Sequence, residues 1–449
     1  MKSKRLHWNR HVLAVAVGGA LLCGSGAASA ISLLEAYDAA LKNDPDYRSA
    51  FFALQGGKEN AILGRSALLP TLQGTFNTSK NVADTTTDSA FGRNTDHPKY
   101  TSRVAEVDLR QPVFSLEAWA RYKEGKAQTR QAEAQFSSQQ QEVILRVTGA
   151  YVEALFADEQ VALNRAARDA YAEQRKVNDR MFERGEGTRT DMLETQAKLD
   201  VAEAQVLEAL DNQANTRATL ASIIGAEVTS LDGLGPQFHF VSLPEGGLAY
   251  WQKLALDNNP DLQTQREAIE VARQEVNRNR AGHAPRVDFV ASYSKNKSDT
   301  INTFNQDSTV RSLGVQMNIP LYAGGAVSAS TRQAVAGVEK ARADFDSRSE
   351  KLSVEVRKQY NTVVSSVSKI NALMKAVASS ELLMEATTQS IKGGVRINLD
   401  LLTAKQQMFT SKRDLAQARY AYLTAVLRLR SAAGALGVDD VREVAANFR

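Results

Sequence analysis

The chain repeats itself in order. Asn43-Asp44-Pro45-Asp46 returns as Asn258-Asn259-Pro260-Asp261, 215 residues later. Pro70 and Lys80-Asn81 return at the same interval as Pro285 and Lys295-Asn296. Pro112-Val113-Phe114 returns as Pro320-Leu321-Tyr322 after 208 residues. Tyr151, Gly185, Asp191, Leu193 and Gly225 then match Tyr360, Gly394, Asp400, Leu402 and Gly434 after 209. So many matches in one order mean two copies of one structural unit. The interval shortens by seven between Lys80-Asn81 and Pro112, which puts a surface loop of variable length there.

Proline placement sets the type of element. None of the nine prolines lies in 113–235 or 321–449. An interior proline costs a helix about 3 kcal/mol, so these tracts read as long helices. Apolar residues at 3/4 spacing support this: Leu352, Val356, Tyr360, Val363, Val367, Ile370, Met374 and Val377 form one seam, and Ile144, Val147, Tyr151 and Leu155 another. Tract 115–184 would extend about 100 Å as a helix, and 324–391 is its counterpart. Segments 32–66 and 190–224 stacked end to end would match the long helix beside them, and 248–282 and 399–433 do the same in the second repeat.

Each repeat reads helix, strand, loop, strand, long helix, turn, helix. Leu313, Val315, Met317 and Ile319 alternate with Ser312, Gly314, Gln316 and Asn318. Val287, Phe289, Ala291 and Tyr293 alternate with Asp288, Val290, Ser292 and Ser294. In the first repeat, Val107, Leu109 and Val113 alternate with Glu106, Asp108 and Arg110, and Leu72–Asn77 forms a weaker strand. The period of two predicts strands with one apolar and one polar face. The segments joining them, about 82–100 and 298–307, are rich in Asp, Thr, Asn and Ser and read as loops.

The 449 residues carry 55 Lys+Arg and 51 Asp+Glu. Lys2, Lys4, Arg5 and Arg10 precede an apolar run from Val12 to Cys23 and the small residues Ala28-Ser29-Ala30, so 1–30 reads as a signal peptide. Without it the two signs balance at 51 each, which argues against a nucleic-acid partner. Cys23 is the single cysteine and follows Leu21-Leu22, where a lipidated cysteine needs a small neighbour. The remaining chain has no thiol, and only the scattered His97, His239 and His283, so neither disulfides nor a His-rich metal site is expected. The sequence holds no HExxH, Walker loop or nucleophile elbow, and no enzyme reading follows.

Four two-faced strands cannot close on themselves, and an open edge in lipid leaves backbone groups unpaired at several kcal/mol each. Two copies would give eight strands, a barrel filled by its own side chains. Three copies give twelve strands and room for a pore. The expected class is therefore mainly α with a membrane β part: a homotrimer whose strands form one 12-stranded outer-membrane barrel, continued across the periplasm by a helical barrel. A soluble periplasmic coiled-coil scaffold with two hairpins is the alternative from another class.

The repeat, the Asn-Pro-Asp-like elements, the strand endings Gln111-Pro112-Val113-Phe114 and Ile319-Pro320-Leu321-Tyr322, and the turns 184–191 and 393–400 together resemble the TolC family of outer-membrane efflux proteins. Segments 279–285, 321–330 and 396–402 resemble its type I secretion branch, the ducts of alkaline-protease exporters. The resemblance implies a passive duct in the outer membrane, a periplasmic adaptor and an inner-membrane ABC exporter as partners, an unfolded secreted protein as cargo, contact with outer-membrane lipid, and no cofactor. A duct for a multidrug or metal efflux pump remains open, with the same fold and other partners. The implied organisation is a first repeat at 31–225 with a hairpin at about 71–114, an equatorial segment at 226–247, a second repeat at 248–434 with a hairpin at about 286–322, and a tail at 435–449.

The resemblance also implies a gate where helix pairs meet at the periplasmic tip. Gly185, Gly187, Gly393 and Gly394 lie in the turns. Thr190 and Asp191 match the accepting side of a gate link and Arg396 its basic partner. Asp400 matches one ring of acids at the entrance, and Thr403 stands where a second acid would, so the ring is depleted. Ile391 replaces a tyrosine of the link, and both departures predict a looser, less cation-selective gate. By residue type alone, Asp191 with Glu194, and Asn398, are also ordinary helix-start residues. Phe114, Trp119 and Tyr322, just after strands, suit an aromatic belt at the membrane interface.

Overall fold

The computed structural model describes residues 30–235, 238–298, 306–393 and 395–448. The leader up to Ser29, Pro236, most of the loop after Ser298 and Gly394 lie outside these residues.

The first run of elements is α1 (Leu33–Asn43), α2 (Pro45–Ser66), β1 (Thr71–Val82), β2 (Thr85–Ser89), β3 (Gly92–Asp96), β4 (Lys99–Phe114), α3 (Leu116–Glu183) and α4 (Arg189–Ile224). The second is α5 (Gly247–Asn258), α6 (Pro260–Arg280), β5 (Arg286–Ser298), β6 (Gln306–Asn318), α7 (Ala326–Lys392) and α8 (Asn398–Ala432), followed by α9 (Val438–Ala445). Helices α3 and α7, of 68 and 67 residues, each run about 100 Å.

Two expectations need correction. The segments 32–66 and 248–282 are not single helices. Each breaks before its proline, because Pro disfavours helical backbone in the preceding residue. Asp44 and Asn259 sit there extended (φ −61°, ψ 118° and φ −63°, ψ 123°) and cap the helix that follows. Both are buried and tied across the fold: Asp44 pairs with Arg146 of α3, and the Asn259 side-chain amide donates to the Ala432 carbonyl (3.0 Å). The second correction concerns the loop at 82–100, which carries the two-stranded hairpin β2–β3, turning at Ala90-Phe91 and entering β3 at Gly92 (φ +116°). Its strands, TTTDS and GRNTD, are almost wholly polar, so no alternation of apolar residues announces them.

The main sheet has the order β1-β4-β5-β6, antiparallel throughout. The register puts Leu72, Phe76, Val107, Tyr293, Leu313 and Val315 on one face. These side chains are exposed, from 43% at Val107 to 80% at Leu313. The other face carries Gln73, Thr75, Glu106, Asp108, Ser292 and Ser312. At its helix-proximal end Asp288 is buried and bonded to Arg110 (2.5 Å) and Arg286 (3.0 Å). Pro112 has no N–H to give the ladder, and the register shifts between Pro112 and Phe114.

The core lies at mid-height of the helices, where Tyr151, Val363, Ile370, Tyr422, Leu427 and Val441 are buried together. The seam on α7 is buried at Leu352, Val356, Val363 and Ile370, half-buried at Tyr360 and Val367, and exposed at Met374 (38%). The connector between the repeats and the tail both join this cluster. The Val241 N–H donates to the Tyr422 hydroxyl (2.9 Å), and the His239 N–H to the Asn447 side chain (2.9 Å). Nearer the sheet, α2 and α3 approach through small residues. A Cβ on Gly125 would lie 2.3 Å from the Asn60 carbonyl oxygen, so only glycine allows the contact.

Candidate functional site: the two helical tips

The helices end, far from the sheet, in two hairpin tips. At the first, α3 stops at Arg184 and the chain reverses through Gly185 (φ +74°). The Glu186 and Gly187 N–H groups bond back to the Met181 carbonyl (2.8 and 3.1 Å). Thr188 then caps α4. Its hydroxyl accepts from the Asp191 N–H (3.1 Å) and donates to Asp191 Oδ2 (2.5 Å), which also accepts from the Thr188 N–H (3.2 Å). Asp191 is thus a capping residue in the single chain, while its Oδ1 has no hydrogen bond among the described residues. Thr190 is exposed beside it.

At the second tip Gly393 has ordinary backbone (φ −85°) and the Val395 N–H reaches back to the Ser390 carbonyl (2.9 Å). Ile397 occupies the cap position of α8 and supplies no side-chain bond. Asn398, a helix-start residue in the sequence reading, does not cap. It turns its side chain inward, because donors and acceptors await it on α3 and α4. Its amide nitrogen donates to Thr195 Oγ1 (3.1 Å) and its oxygen accepts from Gln174 (3.2 Å). Asn178 donates to the same Thr195 oxygen (2.8 Å) and accepts from Gln174 (3.1 Å). Thr195 in turn donates to the Asp191 carbonyl (2.8 Å). Two turns along α8, Lys405 donates to the Gln174 side chain (3.2 Å) and the Ala170 carbonyl (3.3 Å). Burial pushes the Lys405 ammonium below the usual lysine range.

This polar bridge joins the two hairpins within one chain. Thr195 and Asn178 are 0% and 5% exposed and each makes more than one of these bonds, so losing one costs about 0.5–1.5 kcal/mol. Sequence reasoning missed Gln174, Asn178, Thr195 and Lys405. The available signal was polar residues recurring at 3/4 spacing on α3 and α4, where a coiled-coil seam calls for apolar ones.

The structure places the other residues as follows. Arg396 and Thr403 are exposed, Asp400 is half-buried in the first turn of α8, and Ile391 is half-buried near the end of α7. Arg396 and Asp191 form no ion pair within the chain. Leu193 (60%), Val395 (81%), Ile397 (63%) and Leu399 (42%) leave the tips apolar and uncovered. At the junction of sheet and helices, Phe114, Trp119 and Tyr322 are exposed at 47%, 49% and 88%, and Lys123 lies over the Trp119 ring (5.8 Å).

A two-faced antiparallel sheet carried on helices of this length is the architecture of outer-membrane channels. The sequence profile described as "Outer membrane efflux protein" matches residues 36–226 and 251–435, and the chain belongs to that family. It is 42% identical over 441 residues to the alkaline protease secretion protein AprF of Pseudomonas aeruginosa, covering 98% of this chain and 92% of that one. It is 37% identical over 434 residues to the proteases secretion protein PrtF of Dickeya chrysanthemi, covering 96% and 94%. The fold matches the solved CmeC outer membrane channel of Campylobacter jejuni with a TM-score of 0.78, at 17% identity and 98% coverage of both chains. The chain is an outer-membrane protein whose helices extend into the periplasm, and its relatives are channel proteins rather than enzymes.

Proposed function

We propose that the chain is the outer-membrane duct of a type I secretion system, passing an unfolded secreted protein, such as a protease, from an inner-membrane ABC exporter and a periplasmic adaptor to the exterior. The observation that carries this reading is the full-length similarity to two proteins named for protease secretion, on a chain with no catalytic motif. The assembly is a homotrimer. Strands β1 and β6 each have one neighbour in the sheet of a single chain, and joining three sheets edge to edge removes every edge at twelve strands. The polar face then lines the pore and the apolar face meets lipid.

The tips form the gate and the adaptor's docking end. The free Oδ1 of Asp191 is available to Arg396 of a neighbouring protomer while Oδ2 keeps its capping role, so capping and gating are compatible. Thr190 lies beside that link, and Asp400 with Thr403 forms the entrance ring around the axis. The uncovered Leu193, Val395, Ile397 and Leu399 suit neighbouring protomers and the adaptor.

Culture-supernatant proteins of a deletion strain and its parent, compared by mass spectrometry, test the function. Loss of one or a few proteins bearing C-terminal secretion signals is expected. An unchanged supernatant under confirmed expression would overturn protein export and favour small-molecule efflux. Planar-bilayer conductance tests the gate: Arg396→Ala should conduct more than the parent, and equal conductance would remove Arg396 from it.

A further inference from the structure

Charge is segregated on the sheet. Lys80, Lys99, Arg103, Lys295, Lys297 and Arg311 all fall on the apolar face, in register with Thr101, Val82, Thr78, Ala105, Arg103 and Tyr293. All six are exposed. They occupy the end of the strands away from the helices, beyond the apolar positions that start at Leu72, Phe289 and Met317. None forms an ion pair among the described residues. Arg103 and Lys297 stand directly opposite each other, an unfavourable pairing of like charges unless an anion lies between them. Asp307, opposite Lys297, is the one acid in these rows. The acids Glu106 and Asp108 are on the other face.

On a lipid-facing surface such side chains cannot stay among acyl chains. Their stems lie along the apolar surface and their heads reach the headgroup layer. The basic positions begin at the level of Val107 and continue to Lys99. Eight residues cover about 27 Å of strand, which is on the order of 20 Å of depth at the tilt of a barrel strand. One layer of phosphodiesters is thinner than that. A headgroup carrying phosphates at several depths matches it.

We propose that this basic girdle binds the polyphosphorylated glycolipid of the outer leaflet. Lys295 and Arg311 meet the phosphates next to the acyl chains, and Lys80, Lys99, Arg103 and Lys297 those further out. The proposal rests on the apolar face meeting lipid, and the experiment separates the two. The full chain, purified in nonionic detergent, is titrated with lipopolysaccharide, with enzymatically dephosphorylated lipopolysaccharide and with phosphatidylglycerol, and bound lipid is counted by native mass spectrometry. Lipopolysaccharide should bind about tenfold or more tightly than its dephosphorylated form, and binding should weaken with salt. The triple variant Arg103→Gln, Lys295→Gln, Lys297→Gln should lose that difference, while Lys340→Gln on α7 keeps it. Equal affinity for the two glycolipids, or phosphatidylglycerol bound as tightly as lipopolysaccharide, overturns the girdle and leaves a lipid-facing sheet intact. Binding of no lipid at all overturns the lipid-facing reading itself. If the triple variant does not assemble, the dephosphorylation comparison on the parent protein decides.

Discussion

At the first tip, Thr188 and Asp191 close a reciprocal cap and the turn satisfies its own backbone. At the matching place in the second repeat, Ile397 caps nothing and Asn398 points across to α3 and α4. Both turns close on their own backbone, but the first also caps its following helix with its own side chains, while the second spends its helix-start side chain on bonds to the first hairpin. Moving the second hairpin away from the first therefore breaks these crossing bonds. The sheet shows no such asymmetry: its two halves pair continuously from β1 to β6.

The largest effect should come from removing the arm that crosses between the hairpins. Asn398→Ala removes both bonds that cross to Thr195 and Gln174, which keep Asn178 as a partner, at about 0.5–1.5 kcal/mol for each bond lost, and planar-bilayer conductance should rise several-fold. Thr188→Ala removes a cap worth about 1 kcal/mol and should lower thermal stability while raising conductance much less. If the two variants leaked equally, the distinction between a self-held and a borrowed tip would fail.

The smallest effect is one of pH. The lowered Lys405 pKa means the folded tip holds fewer protons than the unfolded chain between that value and the ordinary lysine value. Stability of the bridge therefore rises with pH across this window and is weakest below it. Conductance should fall as the solution is made alkaline. In Lys405→Met that slope should be flat, and a slope kept by the variant would assign it to another group.

Much of the architecture was legible because it is written in local periods. The tract read as helix, 115–184, came within one residue of α3 at each end, and alternation around Val315 and Val107 gave the two faces of the sheet. The break at Asp44 was hidden inside an otherwise helical pattern, and the β2–β3 hairpin had no apolar residues to alternate. Of the tip, the turns and the residues near them were legible from the repeat and the resemblance, but not the bridge. Asn398 and Asp191 are both plausible caps by residue type, and only their surroundings distinguish them.

The sequence by itself determined the element types and the two-faced strands, because each depends on neighbours within a few residues, and the duplication, because its motifs return in order 208–215 residues later. The tertiary structure decided where polar side chains spend their hydrogen bonds. Asn398 and Thr195 are 203 residues apart in the chain. Which donor faces which acceptor follows from how three helices pack, and no period along one of them encodes it.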